Sequence, residues 1–133
     1  MIEIRQTAAE ACDPVAVAIK AYEAYVAKDR SIIEQLIADD FHFTSPLDNR
    51  IDRQLYFERC WPNSRSASEF KIIYVVQDAD RVFVTYEGRA DNGKTFRNTE
   101  VLTIRHGKIV EVEVYFGWSL PHEALPGSFL SEP

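Results

Sequence analysis

The chain has 133 residues, 46% of them hydrophobic and 12% aromatic, with a formal charge of -6 and a pI near 5.0. That length supports one domain with its own core and excludes two. The acidic balance and scattered Lys and Arg exclude a protein that grips nucleic-acid phosphates, and no apolar run approaches the roughly 20 residues needed to cross a bilayer. The opening "MIEIRQTAAEACDP" shows no basic segment followed by an apolar one, so no secretory leader is expected and the cytoplasm is the expected compartment. Cys12 and Cys60 have neither zinc-site nor redox-motif spacing and are expected as reduced structural thiols.

Asp13 followed by Pro14 predicts the start of a first helix, because aspartate caps the free N–H groups and proline suits the first helical position. Val15, Ala18, Ile19, Tyr22, Tyr25 and Val26 then recur at helical spacing and form its inward stripe. Ser31 with Glu34 has the spacing of a capping box and opens a short second helix. "FHFTS" alternates as a short strand, "PLDNR" breaks it, and a third helix is expected from Ile51 to Cys60, before Pro62.

The second half is rich in β-branched and aromatic residues in four stretches: "EFKIIYVVQ", "RVFVTYEGRA", "TFRNTEVLTI" and "KIVEVEVYF". Helices followed by long strands indicate an α+β domain. Asn92-Gly93 predicts a two-residue hairpin turn, which pairs Thr85 with Glu100 and Glu87 with Asn98, and leaves Val82, Val84, Tyr86 and Val101 on the other face. For the next hairpin, a two-residue turn would oppose Glu100 to Glu113, a repulsive pair. A three-residue loop of Arg105, His106 and Gly107 is therefore expected; it sets Glu100 beside Val112 on a face shared with Val114 and Phe116. An acid among valines loses hydration, which favours its neutral form.

Helices first, then an antiparallel sheet ending in "HGKIVEVEVYFGW" and preceded by "ADDFHFTSPLDNRIDRQLYFERCWP", resemble the nuclear transport factor 2-like superfamily, in its SnoaL-like branch related to polyketide cyclases and ketosteroid isomerases. The resemblance covers roughly residues 14 to 118. It implies a cone: three N-terminal helices packed in a curved antiparallel sheet around an apolar pocket, in a homodimer formed through the outer sheet face, for which Val82, Val84, Tyr86 and Val101 are the expected contact. It also implies an oxyanion-binding place for Glu100 and a nearby one for Tyr22. The isomerases carry an aspartate base immediately before a proline after the first strand; here Ser45 precedes Pro46. Asp48 suits either of two roles, a cap of the third helix or a proton-transfer group at the pocket mouth.

The candidate catalytic residues are thus Glu100, Asp48 and Glu87. Tyr22, Ser45, Tyr56, Trp61, Asn98, Val112, Val114, Phe116 and Trp118 are the candidate ligand-binding residues, the aromatic ones also being suited to ordinary core packing. His42, His106 and His122 do not cluster, and Asp39 and Asp40 read as a solvated loop, so neither metal nor cofactor is expected. Two functions remain open. One is an isomerase, cyclase or dehydratase acting on a small apolar carbonyl compound; the other is a non-catalytic pocket or dimeric scaffold. The tail "SLPHEALPGSFLSEP" is expected to be irregular, with Phe129 and Leu130 docking it on the body.

Overall fold

A computed structural model of the chain describes residues 13–131; Cys12 lies outside them. Helix α1 (Pro14–Ala27) begins as expected, with the Asp13 carboxylate accepting from the Val15 N–H. Helix α2 (Arg30–Leu36) is capped by Asp29 rather than Ser31: Asp29 accepts the Ile32 N–H, while the Ser31 hydroxyl donates to Asp29 and Glu34 pairs with Arg30. An aspartate already suited to the cap displaces the serine by two residues.

Strand β1 (Ile37–Ser45) turns at Pro46 and Leu47 into β2 (Asp48–Asp52), where the sequence led to the expectation of a break as far as Arg50 and a helix from Ile51. The third helix, α3 (Arg53–Arg59), starts two residues later than expected, because Asp52 and not Asp48 caps it through the Leu55 N–H. Asp48 is thereby released from any capping role. A 3-10 turn (Trp61–Ser66) leads into β3 (Ala67–Asp78), β4 (Arg81–Ala90), β5 (Thr95–Arg105) and β6 (Lys108–Leu120). One six-stranded sheet results, in the order β2-β1-β6-β5-β4-β3. It is antiparallel except where β1 runs parallel to β6.

Both hairpin registers differ from expectation. The β4–β5 turn has three residues, Asp91, Asn92 and Gly93, with Gly93 at φ 84°, so Thr95 faces Arg89 and Glu100 faces Val84. A one-residue slip reverses every side chain. Val82, Val84 and Tyr86 therefore lie in the core with Leu102, and cannot form an outer contact surface; Val101 stays on the outer face. The β5–β6 turn is the two-residue one, His106 and Gly107, both at positive φ. A bulge at Val110 then shifts the register, so Glu100 faces Val114, Val101 faces Glu113, and the repulsive pairing of two glutamates never forms. Glu100 does sit among valines, but they are Val84 and Val114.

Further irregularities interrupt β3 between Ile72 and Tyr74 and the β5–β6 ladder between Phe96 and Asn98. Bulges bend a strand and increase its twist, which curls this sheet around the helices. α1 packs against β3, β4, β5 and β6 inside the curl, and Phe41, Phe57, Val82, Val84 and Leu102 belong to the buried core between helices and sheet. In the tail, Leu125, Phe129 and Leu130 are exposed, so the expected docking through Phe129 and Leu130 does not occur. No helix among the described residues is long and apolar enough to cross a membrane.

Candidate functional site

The open end of the cone holds a cavity of about 390 Å³, within the size range of small-molecule sites. Each wall follows from a local feature of the chain. Tyr22 and Tyr25, three apart on α1, project on one helix face, and Tyr25 stacks on Phe70 of β3 with ring centroids 5.5 Å apart. Phe96 reaches the cavity by lying across Gly88, where any Cβ would meet its ring at 2.5 Å. Phe43 and Tyr56 close the opposite wall, 5.3 Å between centroids.

Two acids face this cavity in contrasting settings. Glu100, from the middle of β5, accepts the Tyr22 phenol on Oε2 and the Tyr86 phenol on Oε1, the latter at 3.2 Å. Burial raises its pKa above the ordinary carboxylate value, and the two phenol hydrogen bonds offset that only in part. No cation pairs with it among the described residues. Burial likewise raises Tyr22 and Tyr86, with the neighbouring Glu100 charge adding to the effect, so both phenols stay protonated donors. The Asn98 amide fixes the direction of this chain. Its Oδ1 accepts the Gly117 N–H at 3.1 Å, which leaves Nδ2 to donate to the Tyr86 oxygen at 3.4 Å, so the Tyr86 proton points at Glu100.

Asp48 sits at the start of β2. Its carboxylate accepts from the Arg59 guanidinium and, at 2.8 Å, from the Ser45 hydroxyl. Burial alone would raise this acid, but the Arg59 and Ser45 hydrogen bonds and the Arg59 charge outweigh it and hold the pKa below the usual range. Cys60 lies beside it, Sγ 4.0 Å from Oδ2; burial and the Asp48 charge push the thiol up to about 11, so it remains protonated at neutral pH. No group of three or more His, Cys, Asp or Glu side chains gathers among the described residues.

A six-stranded sheet curled over three helices, open at one end onto an acid-floored apolar cavity, is the architecture that the family comparison bears on. A family model described as a SnoaL-like domain matches residues 18–112, well over half of the chain. The chain belongs to the SnoaL-like family.

That family lies within the nuclear transport factor 2-like superfamily and includes isomerases and cyclases. Solved structures agree on the fold. An NTF-2 like protein of unknown function from Burkholderia xenovorans LB400 superposes with a TM-score of 0.69 at 20% identity, covering 90% of this chain and 94% of that one. One from Cytophaga hutchinsonii ATCC 33406, also of unknown function, gives 0.67 at 17% identity, covering 87% and 95%. A de novo designed protein with a curved β-sheet gives 0.68 at 15% identity, covering 78% and 84%. Identities this low bear on fold alone. No curated protein sequence matches the chain.

Within this SnoaL-like cone, Tyr22, Ser45, Asp48, Tyr56, Asn98, Glu100, Val112, Val114 and Phe116 all border the cavity. Three anticipated residues do not. Glu87 lies on the outer face, bound to Arg97 at 2.5 Å, because the register slip carries it there. Trp61 packs behind the wall, edge-on to Tyr25 with centroids 5.6 Å apart. Trp118 is exposed, 5.9 Å from the Arg97 guanidinium. Sequence reasoning missed Tyr86, Tyr25, Phe70 and Phe96 as wall residues and Arg59 as the partner of Asp48.

Proposed function

We propose that the protein is an acid/base enzyme acting on a small, largely apolar carbonyl compound, of the isomerase, cyclase or dehydratase type. One observation carries this reading: a buried glutamate, unpaired by any cation among the described residues, borders an apolar cavity that also holds a second, ionised carboxylate. Two acids whose surroundings push their pKa values apart divide the roles of proton donor and proton acceptor between them. In this scheme neutral Glu100 donates to the carbonyl oxygen of the bound compound. Asp48, ionised at neutral pH, accepts the proton released from carbon as the enol forms; returning that proton to a different carbon, while the enol hydroxyl gives its proton back to Glu100, completes an isomerisation. Tyr22 and Tyr86 hold the Glu100 carboxyl in place, and the aromatic walls keep water away from the enol.

The test is turnover of a panel of small cyclic enones and ketones. Activity in the wild-type protein that falls by about 10² to 10⁴ in Glu100→Gln, with the fold retained, supports the scheme. Turnover that survives the substitution overturns it.

A second reading, a pocket that binds without catalysis, draws on the Asp48 side: Ser45 stands where the isomerases carry their base, and Asp48 is committed to Arg59. Under that reading apolar carbonyl compounds raise the melting temperature and are recovered unchanged. Association of two copies through the outer sheet face belongs to either reading. Exposed Tyr74, Val76, Phe83 and Tyr115 supply an apolar surface there in place of the buried Val82, Val84 and Tyr86.

A further inference from the structure

The pocket has a property that recognition of a neutral carbonyl compound does not use. Tyr22, Tyr25, Phe70, Tyr86 and Phe96 form a continuous set of rings, each within 4.8 to 6.4 Å of the next between centroids, and all border the same cavity as Glu100. Aromatic rings carry negative faces that attract organic cations, most strongly where water is excluded. A carboxylate in such surroundings lacks a counter-charge, and an isolated buried charge is costly until one arrives. Its two oxygens offer about four acceptor positions, and the two phenols occupy one on each, so positions remain for a further donor. Two cations at or beside this cavity are committed or marginal: Arg59 holds Asp48, and Arg89 is an exposed residue of the cavity border. The overall charge of -6 favours the approach of a cation over that of an anion.

We infer that this cavity is also a binding site for a small apolar ammonium ion, a primary amine on a hydrocarbon body, whose N–H groups donate to Glu100 while its charge lies among the aromatic rings. This rests on the same reading of the Glu100 cavity as a ligand site, but calls on the ionised form of the acid where the carbonyl chemistry calls on the neutral one. The two ligand classes then compete for one place.

Calorimetric titration at neutral pH with cyclohexylmethylamine and with its neutral counterpart cyclohexylmethanol tests the inference. The amine is expected to bind at least about tenfold more tightly than the alcohol, and Glu100→Gln to abolish that preference while alcohol binding remains. Tyr25→Leu, which removes a ring without touching the carboxylate, is expected to reduce the preference by a smaller factor. Equal or tighter binding of the alcohol to the wild-type protein overturns the inference, even if neither variant folds, and leaves the carbonyl reading intact. Failure of both probes and of cyclohexanone to bind overturns the cavity as a ligand site, and the proposed function with it.

Discussion

Two residues bordering the cavity carry the same functional group, and their surroundings treat it in opposite ways. Asp48 lies on a short edge strand within reach of Arg59, so its charge is answered locally and its proton is held weakly. Glu100 lies in a central strand, two places from the sheet edge, where its side-chain partners are neutral phenols, so burial dominates and its proton is held more tightly than usual. The difference is positional rather than chemical. An edge strand next to a helix C-terminus admits a long cationic side chain, whereas the inner face of a curled sheet does not.

The largest expected effect on this contrast is the loss of turnover in Glu100→Gln by about 10² to 10⁴, against a smaller loss in Asp48→Asn, measured as kcat/KM on whichever carbonyl compound proves active. If the two substitutions rank the other way round, Asp48 is the principal group and Glu100 only assists.

Linkage to pH gives the next effect. The folded-state pKa of Glu100 lies above its unfolded value, so its contribution to stability is complete below the unfolded value of about 4.3 and is lost as pH rises through the folded one. Asp48 is depressed, so its contribution is present above about 3.9 and is lost as pH falls through its folded pKa. Calorimetric melting is therefore expected to show Glu100→Gln gaining on the wild type as pH rises above the unfolded value of about 4.3. Asp48→Asn is expected to stay below the wild type by a constant margin above the unfolded value of about 3.9 and to recover toward it as pH falls below that value. Parallel melting profiles for the three proteins would show that neither acid is perturbed.

A finer effect is the further rise of the Glu100 pKa in Tyr22→Phe, since the phenol hydrogen bond lowers it. Carboxyl chemical shifts followed by NMR titration read this directly, and a fall would mean that the phenol does not stabilise the charged form. The smallest effect is expected for Glu87→Gln. Its partner Arg97 lies with it on the outer face, so turnover should be unchanged and stability altered by no more than about 1 kcal/mol. A tenfold drop in turnover there would mean that the outer face communicates with the cavity.

The three helices and four long strands were legible in the sequence because each rests on a local pattern: Asp13-Pro14, the α1 stripe, and β-branched runs between turns; the cone was expected from the family resemblance that their order carries. Glu100 was legible as an anomalous acid among apolar residues. Which face it occupies was harder to read. Asn92-Gly93 by itself argues for a two-residue turn, but Val82 and Val84 share parity with Leu102 and Ile104, while Arg81, Glu87 and Arg89 take the other parity in β4. Burying both apolar sets together requires an odd-numbered loop, so the pattern along the two strands outweighs the turn dipeptide. The bulge at Val110 has a fainter mark, a change of inward parity between Ile109 and Val112. Asp48 was a plausible cap until β2 formed and passed that task to Asp52.

By itself, then, the sequence determined which segments become helices and strands, that they enclose an apolar interior, and that one acid stands out of place in it; these depend on spacing within a few residues of chain. Only the tertiary structure decided that Tyr86 faces Glu100, that Glu87 does not, and that Arg59 answers Asp48. Those relations join residues brought together by strand register and sheet curl, and a shift of one residue in a ladder exchanges the inside of the sheet for its outside.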